Sequence, residues 1–178
     1  MRNLDIMKIP VLFLAGIALV ACTEISYKEP QPTGVKALTK IPTKFHGQYL
    51  SDKDTVTFFE KGIRGKEKGK EVFLYLSDSI VLKEYKNNCF VSYRDGNVWL
   101  LRILTKSRNG DLYLMAMENV PDDEAQKKIF LDKLRKETPV IETENHYIIE
   151  PSPRKLNRLV KKGFFKDSEG KPWMKKIE

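Results

Sequence analysis

The chain has 178 residues, a formal net charge of +8 and a hydrophobic content of 41%, and aromatic residues make up 10% of it. This is the size of one ordinary domain, with enough apolar side chains to build a real core. The two cysteines are Cys22 and Cys89. If Cys22 is used in another way, the composition excludes an intramolecular disulfide bond.

Residues 1–21 have the features of a secretory signal. Arg2 and Lys8 give a positively charged start, an apolar run covers residues 11–21, and the small Ala21 ends it. The run is about half of the roughly 20 residues that a helix needs to cross a bilayer. A permanent transmembrane anchor is therefore the poorer interpretation of this segment.

The signal ends in Leu-Val-Ala-Cys, with Leu19 at the position where ordinary cleavage prefers a small residue. This motif resembles the lipobox of bacterial lipoproteins. The resemblance implies that cleavage follows Ala21 and that Cys22 takes a diacylglyceryl group on its sulfur and becomes the acylated N-terminus. Thr23 resembles outer-membrane sorting in some bacteria, so the expected location is the outer membrane, facing the periplasm or the cell surface. The alternative is a cysteine that is discarded with the signal or left in a membrane segment.

Residues 22–40 are expected to form a lipidated tether. Pro30, Pro32 and Gly34 interrupt them, and they show no sustained periodicity. Such a semi-extended segment would hold the folded part away from the membrane.

Residues 41–120 predict an antiparallel β-meander of about seven strands, curled or barrel-like. Short segments rich in β-branched and aromatic residues alternate with turn residues, such as Asp95-Gly96 and Asn109-Gly110. Short connections make neighbouring strands antiparallel, and a sheet of this size must curl, close or be covered. The basic stretch at 61–71 is expected to be a mobile hairpin loop.

The strand side chains are expected to fill a core. Cys89 shares one face of its strand with other apolar residues, so a buried role is favoured over a reactive thiol. The segment at 98–104, Val-Trp-Leu-Leu-Arg-Ile-Leu, is apolar on both faces, so a helix, a partner or a ligand must cover the second face. Core positions are also predicted for Phe58, Phe59, Phe73, Tyr75, Trp99 and Tyr113.

Residues 121–178 predict two helices and short strands packed on the same domain. The first helix is capped by Asp122 or Asp123 and ends before Pro139. The second has Ser152 as its N-cap and Gly163 just past its end. The fold class is therefore mainly β, of the α+β type, with two C-terminal helices.

The strand that carries Gly47 and Tyr49 resembles the Gly-x-Trp opening of lipocalin-like barrels, with Tyr in place of Trp. The resemblance covers roughly residues 44–136. It implies an up-and-down barrel whose interior takes one small apolar ligand.

Charge is distributed unevenly along the chain. Removal of the signal, which carries a net +1, leaves +7. Residues 61–71 hold five basic and two acidic residues, residues 154–178 hold nine and three, and residues 118–150 have a net charge of −4. This asymmetry favours an anionic partner, an envelope protein or an acidic glycan rather than nucleic acid, although a solvated basic surface is the simpler alternative. The candidate contact residues are Arg64, Lys66, Lys68, Lys70, Arg158, Lys161 and Lys162.

No catalytic, metal or cofactor motif is predicted. Ser152 and Lys155 have the Ser-x-x-Lys spacing, but a Lys-Thr-Gly companion is missing and helix capping explains the serine. His46 and His146 are 100 positions apart, and both alternate with aromatic neighbours, which predicts a polar or solvent-facing side. The stretch at 61–71 lacks the spacing of a phosphate-binding loop.

These patterns predict a non-catalytic, lipid-anchored envelope module that docks an acidic partner. The alternative is a lipocalin-like carrier of a small apolar ligand near the membrane, and hydrolysis is a distant third. An apolar interior cavity would favour carriage, whereas a filled core with an exposed apolar patch would favour docking.

Overall fold

The computed structural model describes residues 24–51, 54–67, 69–143, 146–167 and 170–177. Over these ranges the chain forms thirteen β-strands and two α-helices. The prediction of a mainly β, antiparallel fold with two C-terminal helices is confirmed. Three sheets and two helices are stacked in layers around two apolar clusters.

Five strands form the sheet that we call the outer sheet, in the order β13-β2-β3-β4-β5. Its four consecutive members are antiparallel neighbours joined by short turns. The strands are β2 (Gly47–Ser51), β3 (Asp54–Phe59), β4 (Gly62–Glu67), β5 (Lys70–Tyr75) and β13 (Lys175–Lys176).

Five further strands form the central sheet, in the order β12-β9-β8-β7-β6. All of its neighbours are antiparallel. The strands are β6 (Ile80–Tyr85), β7 (Asn88–Asp95), β8 (Val98–Lys106), β9 (Leu112–Met117) and β12 (Phe165–Lys166).

The third layer, which we call the helical layer, contains two helices and a small sheet in the order β1-β11-β10. Strand β1 is parallel to β11, and β10 is antiparallel to it. The elements are β1 (Ile25–Ser26), α1 (Glu124–Arg135), β10 (Val140–Glu142), β11 (Tyr147–Ile149) and α2 (Pro153–Lys161).

The central sheet is buried on both faces, as its apolar β8 predicts. On one face, Trp99, Leu101 and Ile103 pack with apolar side chains of the helical layer. On the other face, Leu104 packs with the outer sheet. Because two separate sheets and the helices cover the apolar faces, the described strands do not close into a barrel.

The stretch at 61–71 was expected to be a mobile loop, and this prediction is wrong. It forms β4, which pairs with β3 and β5. The sequence of β4 does not have the pattern of a typical strand. It contains two glycines, and its exposed face carries basic residues. Among the side chains of β4 that the structure describes, Ile63 is the one that packs against the apolar cluster of the outer sheet.

The prediction of a tether is wrong for residues 24–40, because these residues pack onto the fold. Tyr27 and Trp99 exchange backbone hydrogen bonds of 2.9 and 2.8 Å, so the chain extends the central sheet beside β8. Further along, Lys83 Nζ donates to the carbonyl oxygens of Pro30 and Pro32 at 2.6 and 2.9 Å. The prolines fix an ordered path here, because their carbonyl groups accept hydrogen bonds from a buried lysine.

Both helices begin and end where the capping residues predict. The side chain of Asp123 accepts from Gln126 N–H at 2.9 Å, and that of Ser152 accepts from Lys155 N–H. Gly163, at φ +77°, closes α2 in a Schellman motif in which Phe164 N–H donates to Leu159 C=O.

Cys89 is fully buried, so its predicted core role is confirmed. Burial in the apolar cluster raises the pKa of its thiol to about 12. A thiol with such a pKa is almost entirely protonated at neutral pH and is a poor nucleophile.

Candidate functional site

The predicted basic contact residues fall into two groups in different layers of the molecule. Arg64, Lys66 and Lys70 are exposed on the outer sheet. Lys161 and its neighbours lie on α2, on the far side of the central sheet. The structure therefore does not bring the two groups together into one docking surface. Lys68, Ala21 and Cys22 lie outside the described residues.

Two of the three candidates on α2 and at its C-cap, Arg158 and Lys162, face an acid. Lys162 Nζ donates to Glu137 Oε1 at 2.5 Å, and Arg158 lies 3.8 Å from Oε2 of the same carboxylate. The hydrogen bond from Lys162 holds the pKa of Glu137 below its usual range. Lys161 is exposed and has no ion pair among the described side chains.

A groove of about 610 Å³ lies between α1 and the turn after α2, and we call it the lysine groove. Its apolar lining includes Ile129, which is 56% exposed, and Phe130, whose ring centroid lies 6.2 Å from that of Phe164. Its volume lies within the roughly 300–1,000 Å³ that is typical of ligand sites. The charged side chains that line it are Glu118, Lys133, Lys136, Glu137, Lys162 and Lys166.

The lysine groove carries an excess of positive charge. Both acids are paired, because Lys166 lies 2.9 Å from Glu118 and Lys162 binds Glu137. Lys133 and Lys136 have no ion pair within the described ranges. They remain able to bind an anion.

Glu137 lines the groove, but its carboxylate is buried and already faces two cations. Oε1 binds Lys162, and Oε2, which accepts no hydrogen bond from the described residues, lies 3.8 Å from Arg158. The groove is therefore complementary to a partner with negative charge through Lys133 and Lys136.

Lys133 and Lys136 were not among the contact residues that the sequence predicts, because they lie near the end of α1, where cations are favourable in any helix. One signal was available, because Ile129 lies outside the buried stripe of α1 that contains Phe130 and Leu134. A single exposed isoleucine is common on protein surfaces, so this signal alone does not identify the groove.

A second surface, which we call the hairpin face, lies on the solvent side of β3, β4 and β5. Phe73 and Tyr75 were predicted to be core residues, but they are 44% and 50% exposed. The two rings are stacked with centroids 6.0 Å apart, and Phe59 meets Tyr75 edge to face at 6.0 Å. Strand alternation explains the error, because Leu74 points inward and its neighbours in β5 must point outward.

The space between the outer and central sheets is largely filled. It leaves an apolar cavity of about 60 Å³, lined among others by Leu74 and Leu76. Trp99 does not line this cavity and packs, as a core residue, in the cluster of the helical layer. A site for a small-molecule ligand is usually about 300 Å³ or more. The cavity is too small for such a ligand without opening of the sheets.

The candidate catalytic residues have local roles. His46 Nε2 lies 2.9 Å from the carbonyl oxygen of Ile41, and His146 Nδ1 lies 3.4 Å from Ser26 Oγ. Ser152 caps α2. Among the described residues, no group of three or more His, Cys, Asp or Glu side chains is placed to hold a metal ion.

Comparison with models of known protein families, with curated proteins and with solved structures found no match for the chain. Neither α1 nor α2, the helices of the described part, is long and apolar enough to cross a membrane.

Proposed function

We propose that the chain is a lipid-anchored, non-catalytic binding module of the cell envelope. Lipid on Cys22 holds it at the outer membrane, and the lysine groove docks an acidic envelope partner. The anchoring part of the proposal is supported by the Leu-Val-Ala-Cys motif. Several acyl chains on one residue make membrane attachment practically permanent, because a single chain alone binds only marginally.

The observation that carries the docking part is the composition of the lysine groove. Lys133 and Lys136 lie beside an exposed apolar residue, Ile129, in a concave site of ligand size. Apolar surface that is surrounded by cations is complementary to an acidic segment with an apolar side chain.

An acidic protein segment fits the groove better than an acidic glycan. Ile129 and Phe164 provide apolar contacts. A peptide offers an apolar side chain for these contacts, whereas a glycan is polar over most of its surface. The small volume of the cavity between the sheets makes carriage of an apolar ligand the weaker alternative.

Crosslinking in intact cells tests the docking proposal. A photo-reactive amino acid replaces Ile129 in the groove, and a control protein carries it at Lys155, on the exposed side of α2. We expect crosslinks from position 129 to an acidic peptide, identified by mass spectrometry, and none to that peptide from position 155.

The paired substitution Lys133→Glu and Lys136→Glu should reduce the crosslink by about tenfold or more, because two attractive contacts become repulsive. Lys128→Glu is the matched control, since it also reverses an exposed charge on α1 but lies outside the groove. An undiminished crosslink in the paired variant, or an equal loss in the control, would contradict the proposal.

A further inference from the structure

The helix that lines the lysine groove presents one exposed row of side chains. The row belongs to α1 and its C-cap, and its members are Gln126, Ile129, Lys133 and Lys136. Because they are spaced by three or four residues, they lie on one face of the helix. All four are exposed, and they lie away from the buried stripe of α1 that packs on the domain.

The charge along this face changes sign from one end to the other. The segment that leads into α1, residues 118–124, holds four acidic residues and no basic one, and it is the densest acidic run of the chain. Glu118 and Pro121 of this segment line the groove. Lys133 and Lys136 lie at the other end of the helix. The face therefore has an acidic end, an apolar middle at Ile129 and a basic end.

Ile129 lies at the midpoint of this charge pattern. Asp122 is seven residues before it and Lys136 is seven residues after it, which is about 10 Å in each direction at the rise of an α-helix. Asp122 and Lys136 are both exposed and have no ion pair within the described ranges. A two-fold axis through Ile129 would therefore place Lys136 of one copy beside Asp122 of another, and it would do so twice.

The middle of the face also suits an antiparallel pair of helices. Ala125 and Lys133 are each four residues from Ile129, so they lie opposite each other in such a pair. The short side chain of Ala125 leaves space for the long side chain of the lysine. The two Ile129 side chains, each 56% exposed in one copy, would meet at the axis and lose contact with water.

The acidic end of the groove selects against a partner that is acidic throughout. Residues 118–124 would repel such a partner at the same time as Lys133 and Lys136 attract it. A partner whose charge runs in the opposite direction satisfies both ends of the groove. A second copy of α1, in antiparallel orientation, has this order of charges.

We propose that the occupant of the lysine groove is a second copy of this chain, with the two α1 helices antiparallel across an isologous two-fold interface. Lys136 of each copy pairs with Asp122 of the other, and Ile129 packs on Ile129 at the axis. This inference rests on the proposed function, in which the groove docks an acidic protein segment. It identifies that segment as residues 118–124 of the second copy.

Cysteine crosslinking in membranes of cells that produce the full chain tests this proposal. Ile129→Cys places a thiol at the two-fold axis, where the Cα atoms of two helices in contact come within the roughly 7 Å that a disulfide bond spans. Lys128→Cys is the matched control, since it is exposed on the same helix but lies outside the groove. With a mild oxidant we expect at least about tenfold more disulfide-linked dimer from position 129 than from position 128. Cys89 is buried, and a dimer formed through Cys22 would be equal in both variants.

An exchange of charges distinguishes a second copy from any other partner. Lys136→Glu in the Ile129→Cys chain should reduce the dimer by about fivefold or more, because repulsion replaces attraction at both ends of the interface. Addition of Asp122→Lys should restore the dimer to within about twofold, since the exchanged charges pair again. Asp123 caps α1, so the change at Asp122 leaves the helix cap in place. Binding of a different acidic protein would not be recovered by Asp122→Lys.

The possible failures of this inference and of the proposed function have different results. Equal dimer from positions 129 and 128, with photo-crosslinks from position 129 to an acidic peptide of another protein, would overturn the second copy and leave the docking function intact. A dimer that Lys136→Glu reduces and Asp122→Lys does not restore would overturn the antiparallel pairing. Absence of both the dimer and the photo-crosslink would overturn the docking function and this inference together.

Discussion

Glu24→Gln should lower the free energy of unfolding by about 3 kcal/mol, because it leaves a buried guanidinium without its counter-ion. The side chain of Arg102 is only 3% exposed, and both of its terminal nitrogens bond to the carboxylate of Glu24. Arg102 also lies over the ring of Tyr93, 5.4 Å from its centroid. Urea unfolding followed by circular dichroism measures the change.

The control for this substitution is Glu29→Gln, which changes an exposed acid in the same N-terminal segment. We expect it to alter the free energy of unfolding by less than about 0.5 kcal/mol. The double variant Glu24→Leu with Arg102→Met should recover most of the loss, because apolar pairs often replace buried ion pairs without cost. If Glu24→Gln is as stable as the wild type, residues 24–27 are not part of the folded domain.

Phe90→Ala should lower the free energy of unfolding by about 3–5 kcal/mol. Phe90 is completely buried in the cluster between the central sheet and the helical layer. Removal of its ring leaves a cavity that well-packed neighbours such as Ile103 and Leu134 can fill only in part. The same urea titration measures this loss.

Phe73→Ala is the matched control, because it removes the same ring from an exposed position of the hairpin face. It should cost less than about 1 kcal/mol, since nearly half of the side chain is already exposed to water. A large loss of stability from Phe73→Ala would mean that this ring stabilises the fold despite its exposure.

The helices could be predicted closely because their signals are local. Asp123, Ser152 and Gly163 act on backbone groups within one turn of their own position, so sequence alone identifies them. The burial of β8 on both faces could also be predicted, because a strand that is apolar on both sides requires two covering layers. The outer sheet covers one face, and the helical layer covers the other.

The rest of the fold depended on contacts between distant residues. Strand β4 has basic residues on its exposed face and two glycines, so its own sequence resembles a loop, and pairing with β3 and β5 makes it a strand. Residues 25–27 are ordered by β8 and β11, more than seventy positions away in sequence. A local pattern of two or three residues cannot predict that the segment pairs with a distant strand.

The candidate site was predictable only in part for the same reason. Charge counting identified basic stretches, but it could not show that Glu137 pairs with Lys162 and lies near Arg158, or that α2 and β4 lie in different layers. The lysine groove joins Lys133 and Lys136 of α1 to the turn after α2. Only the packing of the two helices on one cluster brings these residues together.

The mass of the mature protein, purified from cell membranes, tests the account most directly. We predict a chain that begins at Cys22 and carries acyl groups on its sulfur and its N-terminus. Digestion should yield an N-terminal peptide that contains this modified cysteine and Glu24. An N-terminal peptide that retains residues before Cys22, with an unmodified thiol at that position, would contradict the anchor.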